Sequence, residues 1–378
     1  MTRLRDALVG LAEEAPAMSL GENLVHAAIA THRRRRQRRA TVAAVAAAVA
    51  VVTATTAGVT VLRPKAAHPA APAAPAAPAA PAGQDAVTDL PDGPVGAISH
   101  SYRIPCAFDR ATHEADCGVA ELRVVTVSGR TYRVAQALLH ATGERDTPVA
   151  ISRDGRMFAY YRRDAGTFVV RDLVKGGERA APVLVPARRI GVGAMLTLSD
   201  DGRYLAFDPR EGTKQDATMM DLASRRTTSI PGVYEVISIK DGTAELIRYR
   251  KTDLWLRPFG GGGEPVRFKG PHIMFSELAP DGRTVVATEF PEHQKGILTV
   301  LDTRTGRALR KVTVRGLPQK PGLTAVTLWR SSSEVVVVAD GRKERAAYAV
   351  DVESGRARRL IGYGSHWRVN LPGVSYGI

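Results

Sequence analysis

Cysteine is nearly absent from this chain of 378 residues, which contains only two, Cys106 and Cys117. That count excludes a small scaffold held together by many disulfides. No further Cys or His pair stands beside these two, so the four-ligand spacing of a structural zinc site is missing as well. The length is sufficient for one large domain with appendages, or for two domains.

The short motifs of common enzyme classes are also missing. Residues 362–368, "GYGSHWR", come near the Gly-x-Ser-x-Gly nucleophile elbow but lack its last glycine, and residues 191–196, "GVGAML", lack the third glycine of a dinucleotide-binding loop. No His-Glu-x-x-His sequence and no phosphate-binding Walker loop occurs. We therefore expect no enzymatic activity, no cofactor and no metal, and we expect isolated histidines such as His272 and His366 to be structural or surface residues.

Acidic residues are outnumbered by basic ones, which gives a formal net charge of +15 and an isoelectric point of about 10.1. Residues 1–39 carry eight Arg against four acidic residues, and residues 96–378 carry a net charge of +12. Such an excess favours anionic partners, among them nucleic acid, lipid headgroups and acidic wall polymers, but it does not predict a fold.

Residues 40–62, "ATVAAVAAAVAVVTATTAGVTVL", contain no charged side chain. As a helix they would extend roughly 34 Å, enough to cross a hydrocarbon core of about 30 Å. A buried helix of a soluble protein is the alternative, but an arginine run before the segment and a single Arg and Lys after it favour a membrane span. By the positive-inside bias the run places the N-terminus in the cytoplasm. Its members are Arg33, Arg34, Arg35, Arg36, Arg38 and Arg39.

A cleaved secretory signal peptide is a second alternative for the apolar segment. The 39 residues before it are long for a secretory n-region, although small residues after it could admit cleavage. We expect a signal anchor, with residues 96–378 outside the cytoplasm. The arginine run has no interleaved aromatic residues, so nucleic-acid binding is not expected, and topology together with contact to anionic lipid explains the run.

Two short segments flank the predicted span. The cytoplasmic tail, residues 1–32, has three leucines at i, i+4 and i+7 starting from Leu4, and a Ser19 to Glu22 capping box. Helices this short cannot bury a core alone, so they lie on the membrane or dock on a partner. Residues 63–95 form a linker whose Pro-Ala repeat favours polyproline II and a semi-rigid spacer.

Residues 96–378 contain an internal repeat. Copies begin at Pro148, Met195, Val236 and Phe275, and a fifth at Val326 has Ser-Ser-Ser at the turn. Each copy predicts two strands joined by a polar turn, a variable loop, and two further strands. In four copies the turn is Asp-Gly, a strong hairpin signal because both residues tolerate positive φ. These pairs are Asp154 with Gly155, Asp201 with Gly202, Asp241 with Gly242, and Asp281 with Gly282.

Four strands in a unit of about 40 to 45 residues indicate the blade of a β-propeller. The segments "SRDGRMFAY", "SDDGRYLAF" and "APDGRTVVA" resemble the Ser-Pro-Asp-Gly-Arg-x-Leu-Ala-Phe signature of TolB-like, WD-like propeller repeats. The resemblance covers about 148–360 and implies an all-β propeller that serves mainly as a scaffold and binding surface. The chain departs from it where Arg153 and Asp200 replace the usual proline.

The number of blades depends on how the ring closes. Residues 98–136 supply further strands, and "HWRVNLPGVSYGI" at the C-terminal end supplies one or two more. If the C-terminal strand joins the N-terminal ones, the ring has six four-stranded blades and no open edge, with seven blades as the alternative. In that first blade Cys106 and Cys117 are expected to form a disulfide worth about 2–3 kcal/mol in the chain-entropy model, rather than two reduced thiols.

The loops between the second and third strands of the copies vary most and are dense in Arg and Lys. They read "RRDAG", "DPREGTKQD", "YRKTD", "FPEHQKG" and "DGRKER". We hypothesise that they form a basic surface that meets an acidic protein or an anionic wall polymer, with a solvated basic exterior as the alternative.

The sequence thus predicts a single-pass membrane protein whose propeller is a non-enzymatic ligand- or protein-binding and sensing module at the cell envelope. The architecture is also similar to bacterial membrane-anchored regulators of the anti-sigma type, so residues 1–32 could hold a sigma factor, although they lack the His/Cys zinc set common in such tails. A lyase or hydrolase on a propeller scaffold is a third hypothesis. The chain has no room for the extra hydrolase domain of propeller-bearing peptidases.

Overall fold

The computed structural model describes residues 87–375, apart from 109–114, 142–144, 210–214, 250–251, 319–321, 342–343 and 365–366. The predicted tail, the apolar segment 40–62, the arginine run, most of the linker and His366 lie outside the described residues. Within the described part of the chain, no helix is long and apolar enough to cross a membrane.

The described residues form six antiparallel blades in a ring, which confirms the predicted all-β propeller. Blade 1 combines strands from both ends of the described chain, in the sheet order β1-β6-β5-β2-β27. Its strands are β1 (Thr88–Asp89), β2 (Ile98–Ile104), β5 (Glu121–Thr126), β6 (Thr131–Arg133) and β27 (Trp367–Asn370). The loop between β2 and β5 contains a two-stranded ribbon of β3 (Ala107–Phe108) and β4 (Ala115–Asp116).

The other five blades have four strands each, taken in chain order. Blade 2 comprises β7 (Ala150–Ile151), β8 (Met157–Arg162), β9 (Thr167–Asp172) and β10 (Glu178–Ala180), and blade 3 comprises β11 (Met195–Leu198), β12 (Tyr204–Asp208), β13 (Ala217–Asp221) and β14 (Arg226–Ile230). Blade 4 comprises β15 (Glu235–Lys240), β16 (Thr243–Arg248), β17 (Asp253–Pro258) and β18 (Val266–Arg267). Blade 5 comprises β19 (His272–Phe275), β20 (Thr284–Glu289), β21 (Ile297–Asp302) and β22 (Ala308–Thr313), and blade 6 comprises β23 (Leu323–Trp329), β24 (Glu334–Asp340), β25 (Arg345–Asp351) and β26 (Ala357–Gly362). Two short 3-10 helices, Ala187–Arg189 and Glu292–Lys295, lie in the connections.

Strand β27 closes the ring. It pairs antiparallel with β2, with Ser101 opposite Asn370 and Arg103 opposite Trp367. The prediction that a C-terminal strand joins strands near residue 98 is therefore confirmed, and so is the count of six blades rather than seven. β27 thus supplies the innermost strand of blade 1, so the two ends of the described chain meet in one sheet.

The propeller begins before residue 96, where the sequence placed the end of the linker. Strand β1 pairs in parallel with β6, and Leu90 is buried in the core of blades 1 and 2. Arg133 Nε donates to Asp89 Oδ1 at 2.5 Å. A strand of two residues has too little alternation to be recognised in sequence.

The core consists of apolar side chains packed between neighbouring blades. Blades 2 and 3 illustrate the arrangement, because Phe168, Leu196 and Phe207 are buried in one cluster. The rings of Phe168 and Phe207 lie 4.8 Å apart between centroids and are tilted against each other. Each blade thus buries its apolar residues only by stacking on the next blade, as expected for a repeat architecture.

Because strands alternate in direction, the ring has two chemically different faces. One face carries the turns from first to second strand, which include the Asp-Gly pairs, and the turns from third to fourth strand; we call it the turn face. The opposite face carries the loops from second to third strand and the connections between blades; we call it the loop face.

Candidate functional site

The predicted Asp-Gly residues form repeated structural turns and do not gather into a site. The carboxylates of Asp154, Asp201 and Asp281 each accept a hydrogen bond from the backbone N–H two residues later, at 3.0, 3.0 and 2.7 Å. Gly155 has a φ of 74°, and an added Cβ there would overlap the carbonyl oxygen of Ile98 in blade 1. These residues therefore hold the turns and join neighbouring blades.

The Asp-Gly of blade 4 differs from the others in its backbone. Asp241 and Gly242 both have positive φ, 47° and 71°, and form a two-residue hairpin typical of a type I′ turn. In the other three Asp-Gly copies only the glycine has positive φ. Of the four Asp-Gly pairs, only the one in blade 4 therefore has positive φ at both residues.

In blades 3 and 5, the arginine that follows the Asp-Gly pair binds an aspartate at the end of the third strand. Arg203 donates from Nε and Nη2 to the carboxylate of Asp221 at 3.0 and 2.8 Å, and Arg283 Nε donates to Asp302 at 2.8 Å. The hydrogen bond from Arg283 is the main reason that the pKa of Asp302 is lowered to about 2. Each pair ties the first turn of its blade to the end of the third strand.

Four charged side chains from blades 2 to 5 do converge, at the turn-face end of the central channel. They are Arg153, Asp200, Lys240 and Glu277, and they line a cavity of about 20 Å³, room for one water molecule. The first three stand directly before the turn aspartate of their repeats, where the related repeats have proline. We call these four residues the channel cluster.

Glu277 is the centre of the channel cluster. Its Oε2 accepts a hydrogen bond from Arg153 Nη2 and lies 3.3 Å from Lys240 Nζ, while Oε1 accepts from the backbone N–H of Trp329 at 2.9 Å. Burial raises the pKa of Glu277, and the charges of Lys240 and Arg153 act in the opposite direction. Asp200 completes the set by accepting from the backbone N–H of Arg153 at 3.1 Å.

A second buried acid, Glu245, lies behind the channel cluster between blades 4 and 5. Its Oε2 accepts from Ser238 Oγ and from the backbone N–H of Leu278, both at 2.8 Å. Burial raises the pKa of Glu245 to about 7, although these two hydrogen bonds oppose the shift. The propeller therefore contains a carboxyl group that changes charge near neutral pH.

The segment that follows β27 covers the same end of the channel. Gly373 N donates to the carbonyl of Ile151 at 2.9 Å, Ser375 Oγ donates to the carbonyl of Ile237 at 2.8 Å, and Thr197 Oγ1 donates to Ser375 Oγ at 2.9 Å. It thus binds the innermost strands of blades 2, 3 and 4 and lines the cavity. With this segment in place the cavity holds a water molecule but not a peptide.

The loop face gives limited support to the hypothesis of a basic surface. Arg162 pairs with Asp164 and Glu178 at 2.8 and 2.6 Å, and Arg345 pairs with Asp340 at 2.9 Å. These cations are neutralised within their own blades. Arg163 and Lys295 are exposed in the loops of blades 2 and 5. The basic residues of the blade 3 and blade 4 loops, and Arg342 and Lys343 of the blade 6 loop, lie outside the described residues, where the hypothesis stays a prediction.

Exposed apolar side chains distinguish the loop face more clearly. Of the large apolar residues that are exposed among those the structure describes, most lie in loop-face segments: Val119, Leu184, Val192, Val233 and Phe290. Val127 and Val174 lie in turns of the turn face, whereas Leu309 and Ile361 lie on outermost strands. Contact surfaces for other proteins expose apolar side chains, and the loop face carries more of them than the turn face.

The two cysteines lie at the loop face of blade 1 and form a disulfide. His140 Nε2 is 3.7 Å from Cys106 Sγ, and His140 Nδ1 is 3.1 Å from Asp146 Oδ1. The two sulfurs and a ring nitrogen of His140 lie within 4.8 Å of one another, which is the spacing of a metal-ligand set. Metals bind thiolates, so sulfurs joined to each other do not provide such a set.

His140 and Asp146 carry no recognisable signal in the sequence. Their segment has no repeat phase, and the nine histidines of the chain are scattered. His272 is buried on β19, where burial lowers its pKa and Nε2 lies 3.2 Å from the carbonyl oxygen of Lys269. That environment is in keeping with the structural role expected for it.

No family model matches this chain, and no curated protein matches it either. Similar solved structures include TolB from Acinetobacter baumannii, with 16% identity and a TM-score of 0.47 over 73% of this chain and 65% of that one. The dihydro-heme d1 dehydrogenase NirN in complex with DHE has 16% identity and a TM-score of 0.39 over 72% of this chain and 56% of that one. A chain of the nidogen/laminin complex has 9% identity and a TM-score of 0.42, over 72% and 96%. This chain spans less than two thirds of TolB and of NirN, and these similarities concern the fold alone.

Proposed function

We propose that this chain is a membrane-anchored, extracytoplasmic propeller that binds a protein partner through its loop face and is not an enzyme. The observation that carries the proposal is the set of exposed apolar residues on that face, among them Leu184, Val192 and Phe290. The opposite face is less suited to a partner, because the segment after β27 covers the channel and the channel cluster is paired internally. The disulfide of Cys106 and Cys117 fits a compartment outside the cytoplasm.

An acidic protein and an anionic wall polymer are the two partners that the charge favours, and we favour the protein. Two cations of the loop face, Arg162 and Arg345, have carboxylate partners in their own blades. A polymer that binds by charge needs free cations, whereas a protein partner can bury apolar side chains. The tail, residues 1–32, remains the part of the chain that would hold a sigma factor in the alternative of an anti-sigma regulator.

Site-specific photocrosslinking of the full-length chain in membranes tests the binding surface. A crosslinking residue at Val192 or Phe290 is expected to give a discrete protein adduct, while the same residue at Val174 on the turn face or Leu309 on an outer strand gives none. If glycan hydrolases digest the adduct, the partner is a wall polymer and not a protein. An adduct confined to Val174 would contradict binding through the loop face.

Fractionation and protease accessibility test the anchor separately. The full-length chain is expected in the membrane fraction, with the propeller accessible to protease added outside intact cells. Recovery as secreted material that lacks residues 1–60 would show that the apolar segment is cleaved. A sigma factor that copurifies only when residues 1–32 are present would support the regulatory alternative.

A further inference from the structure

The disulfide of blade 1 has the surroundings of a reactive cysteine pair. His140 Nε2 faces Cys106 Sγ at 3.7 Å, and Asp146 lies 3.1 Å from the other ring nitrogen. A carboxylate, an imidazole and a sulfur in that order form the arrangement that stabilises thiolates in cysteine-dependent enzymes. A disulfide that only braces a loop needs neither the imidazole nor the carboxylate.

Two arginines hold the carboxylate that faces His140. Asp146 contacts the Arg368 guanidinium and lies 3.9 Å from Arg103 Nη1. Arg103 is buried and donates to the carbonyl oxygen of Leu139 at 2.9 Å. Burial lowers the pKa of Arg103 to about 10, and the nearby Arg368 adds to that shift, so the guanidinium keeps its charge at neutral pH.

The two cysteines differ in exposure. Cys117 is exposed, whereas Cys106 is partly buried beside the imidazole. A thiol from outside therefore reaches Cys117 Sγ more readily, and the sulfur that must leave is the one next to His140. Exchange is faster when the leaving thiol has a lower pKa, so the pair is oriented for attack at Cys117.

We propose that Cys106 and Cys117 form a thiol–disulfide exchange site, in which His140 stabilises the leaving Cys106 thiolate and Asp146 positions His140. An external thiolate attacks Cys117 Sγ and forms a new sulfur–sulfur bond, and the electron pair of the broken bond goes to Cys106 Sγ. The mixed disulfide on Cys117 is then resolved either by Cys106, which restores the starting disulfide, or by a second external thiolate. The second external thiolate attacks the external sulfur of the mixed disulfide and forms an external disulfide with it. The electron pair of the broken bond goes to Cys117 Sγ, so both cysteines are then reduced. The substrate class is therefore a thiol, either a small molecule or a protein.

The rate of reduction tests this site in the full-length chain in detergent. Glutathione and reduced thioredoxin serve as the small and the protein thiol, and free cysteines are counted by alkylation and mass spectrometry. His140→Ala is expected to slow reduction about tenfold, because the leaving thiolate loses the imidazole beside it. His293→Ala, at the loop face of blade 5, is the matched control and should leave the rate unchanged. A faster reaction of the unmodified chain than of His140→Ala with either thiol supports the proposal and identifies the thiol source.

A second measurement separates exchange chemistry from a structural role of His140. In single-thiol variants, Cys117→Ser leaves Cys106 and Cys106→Ser leaves Cys117, and the pH dependence of alkylation reports each thiol. Cys106 is expected to titrate below the value of about 8.5 for a free thiol, and Asp146→Asn should move its profile upward. Equal profiles for the two thiols, together with an unchanged reduction rate in His140→Ala, would overturn the proposal.

Discussion

The turn face and the loop face are built from the same repeat, but their side chains have different partners. At the turn face, Asp-Gly turns are held by their own carboxylates, and Glu277 is shared by Arg153 and Lys240 in a covered channel. At the loop face, large apolar side chains and Cys117 are exposed. The repeat thus fixes one face through geometry that every blade needs, and it leaves the other face free to vary and to bind.

The largest expected effect comes from opening the ring at the turn face. Truncation after Gly364 removes β27 and the segment that binds Ile151 and Ile237, so β2 loses its inner partner strand. We expect loss of cooperative unfolding, measured by urea denaturation of the purified chain. Truncation after Ser375 keeps these contacts and serves as the control. Equal midpoints for the two truncations would show that closure through β27 does not stabilise the ring.

The second-largest loss of stability is expected from a change in the channel cluster at the turn face. Glu277→Ala leaves the half-buried Arg153 and Lys240 without their shared carboxylate and the backbone N–H of Trp329 without its acceptor, which is expected to cost about 3 kcal/mol in the free energy of unfolding. Glu353→Ala removes an exposed partner of Arg310 and should cost less than about 1 kcal/mol. Urea denaturation of both variants measures the difference.

Glu277→Gln separates the charge from the hydrogen bond. The amide oxygen can still accept from the backbone N–H of Trp329, so this variant should fall between the unmodified chain and Glu277→Ala. If Glu277→Ala costs no more than Glu353→Ala, the channel cluster is not a buried charge network in solution.

The fold was more accessible from the sequence than the sites were, for physical reasons. The repeat phase predicted five blades, because backbone turns and buried strands impose the same pattern on every copy, and the strands at the two ends of residues 96–378 predicted the sixth. In the sequence, Arg153 and Asp200 were visible as departures from the repeat signature, because they replace the proline before the turn aspartate. Only the folded ring brings them together with Lys240 and Glu277.

The contact of His140 and Asp146 with the disulfide of blade 1 could not be predicted from the sequence. His140 and Asp146 belong to a connection without repeat phase, and their distance from Cys106 depends on how that connection crosses the end of β2. Contacts between segments that share no pattern are set by tertiary packing, and no local rule describes them.

A smaller effect is expected from pH at Glu245, which lies between the channel cluster and the core. Its pKa of about 7 in the folded chain exceeds the ordinary value of 4.5, so the folded state binds the proton more tightly. The stability that this proton provides is fully present below about pH 4.5 and is lost as pH rises to about 7. The loss amounts to about 3 kcal/mol and stays constant above that range.

Glu245→Gln is expected to remove this pH dependence. Denaturation curves at pH 5 and pH 8 should show a larger fall in the free energy of unfolding for the unmodified chain than for the variant. Glu353→Gln, an exposed change, should keep the pH dependence of the unmodified chain. Parallel pH profiles for the unmodified chain and Glu245→Gln would mean that this carboxyl group is hydrated in solution.

The smallest effect on stability is expected at the loop face, and there it sharpens the comparison. Val192 is 74% exposed and Phe290 59%, so replacing either by Ser should change the free energy of unfolding by less than about 0.5 kcal/mol. Leu196 lies close to Val192 in the sequence but is fully buried, and it serves as the contrast to the exposed residues. Leu196→Ala should cost about 2–5 kcal/mol in the free energy of unfolding. If the serine variants keep their stability but lose the photocrosslinked partner, the apolar residues of the loop face serve binding and contribute little to folding. A large loss of stability in Val192→Ser would instead mean that the loop face is packed in solution, and the difference between the two faces would disappear.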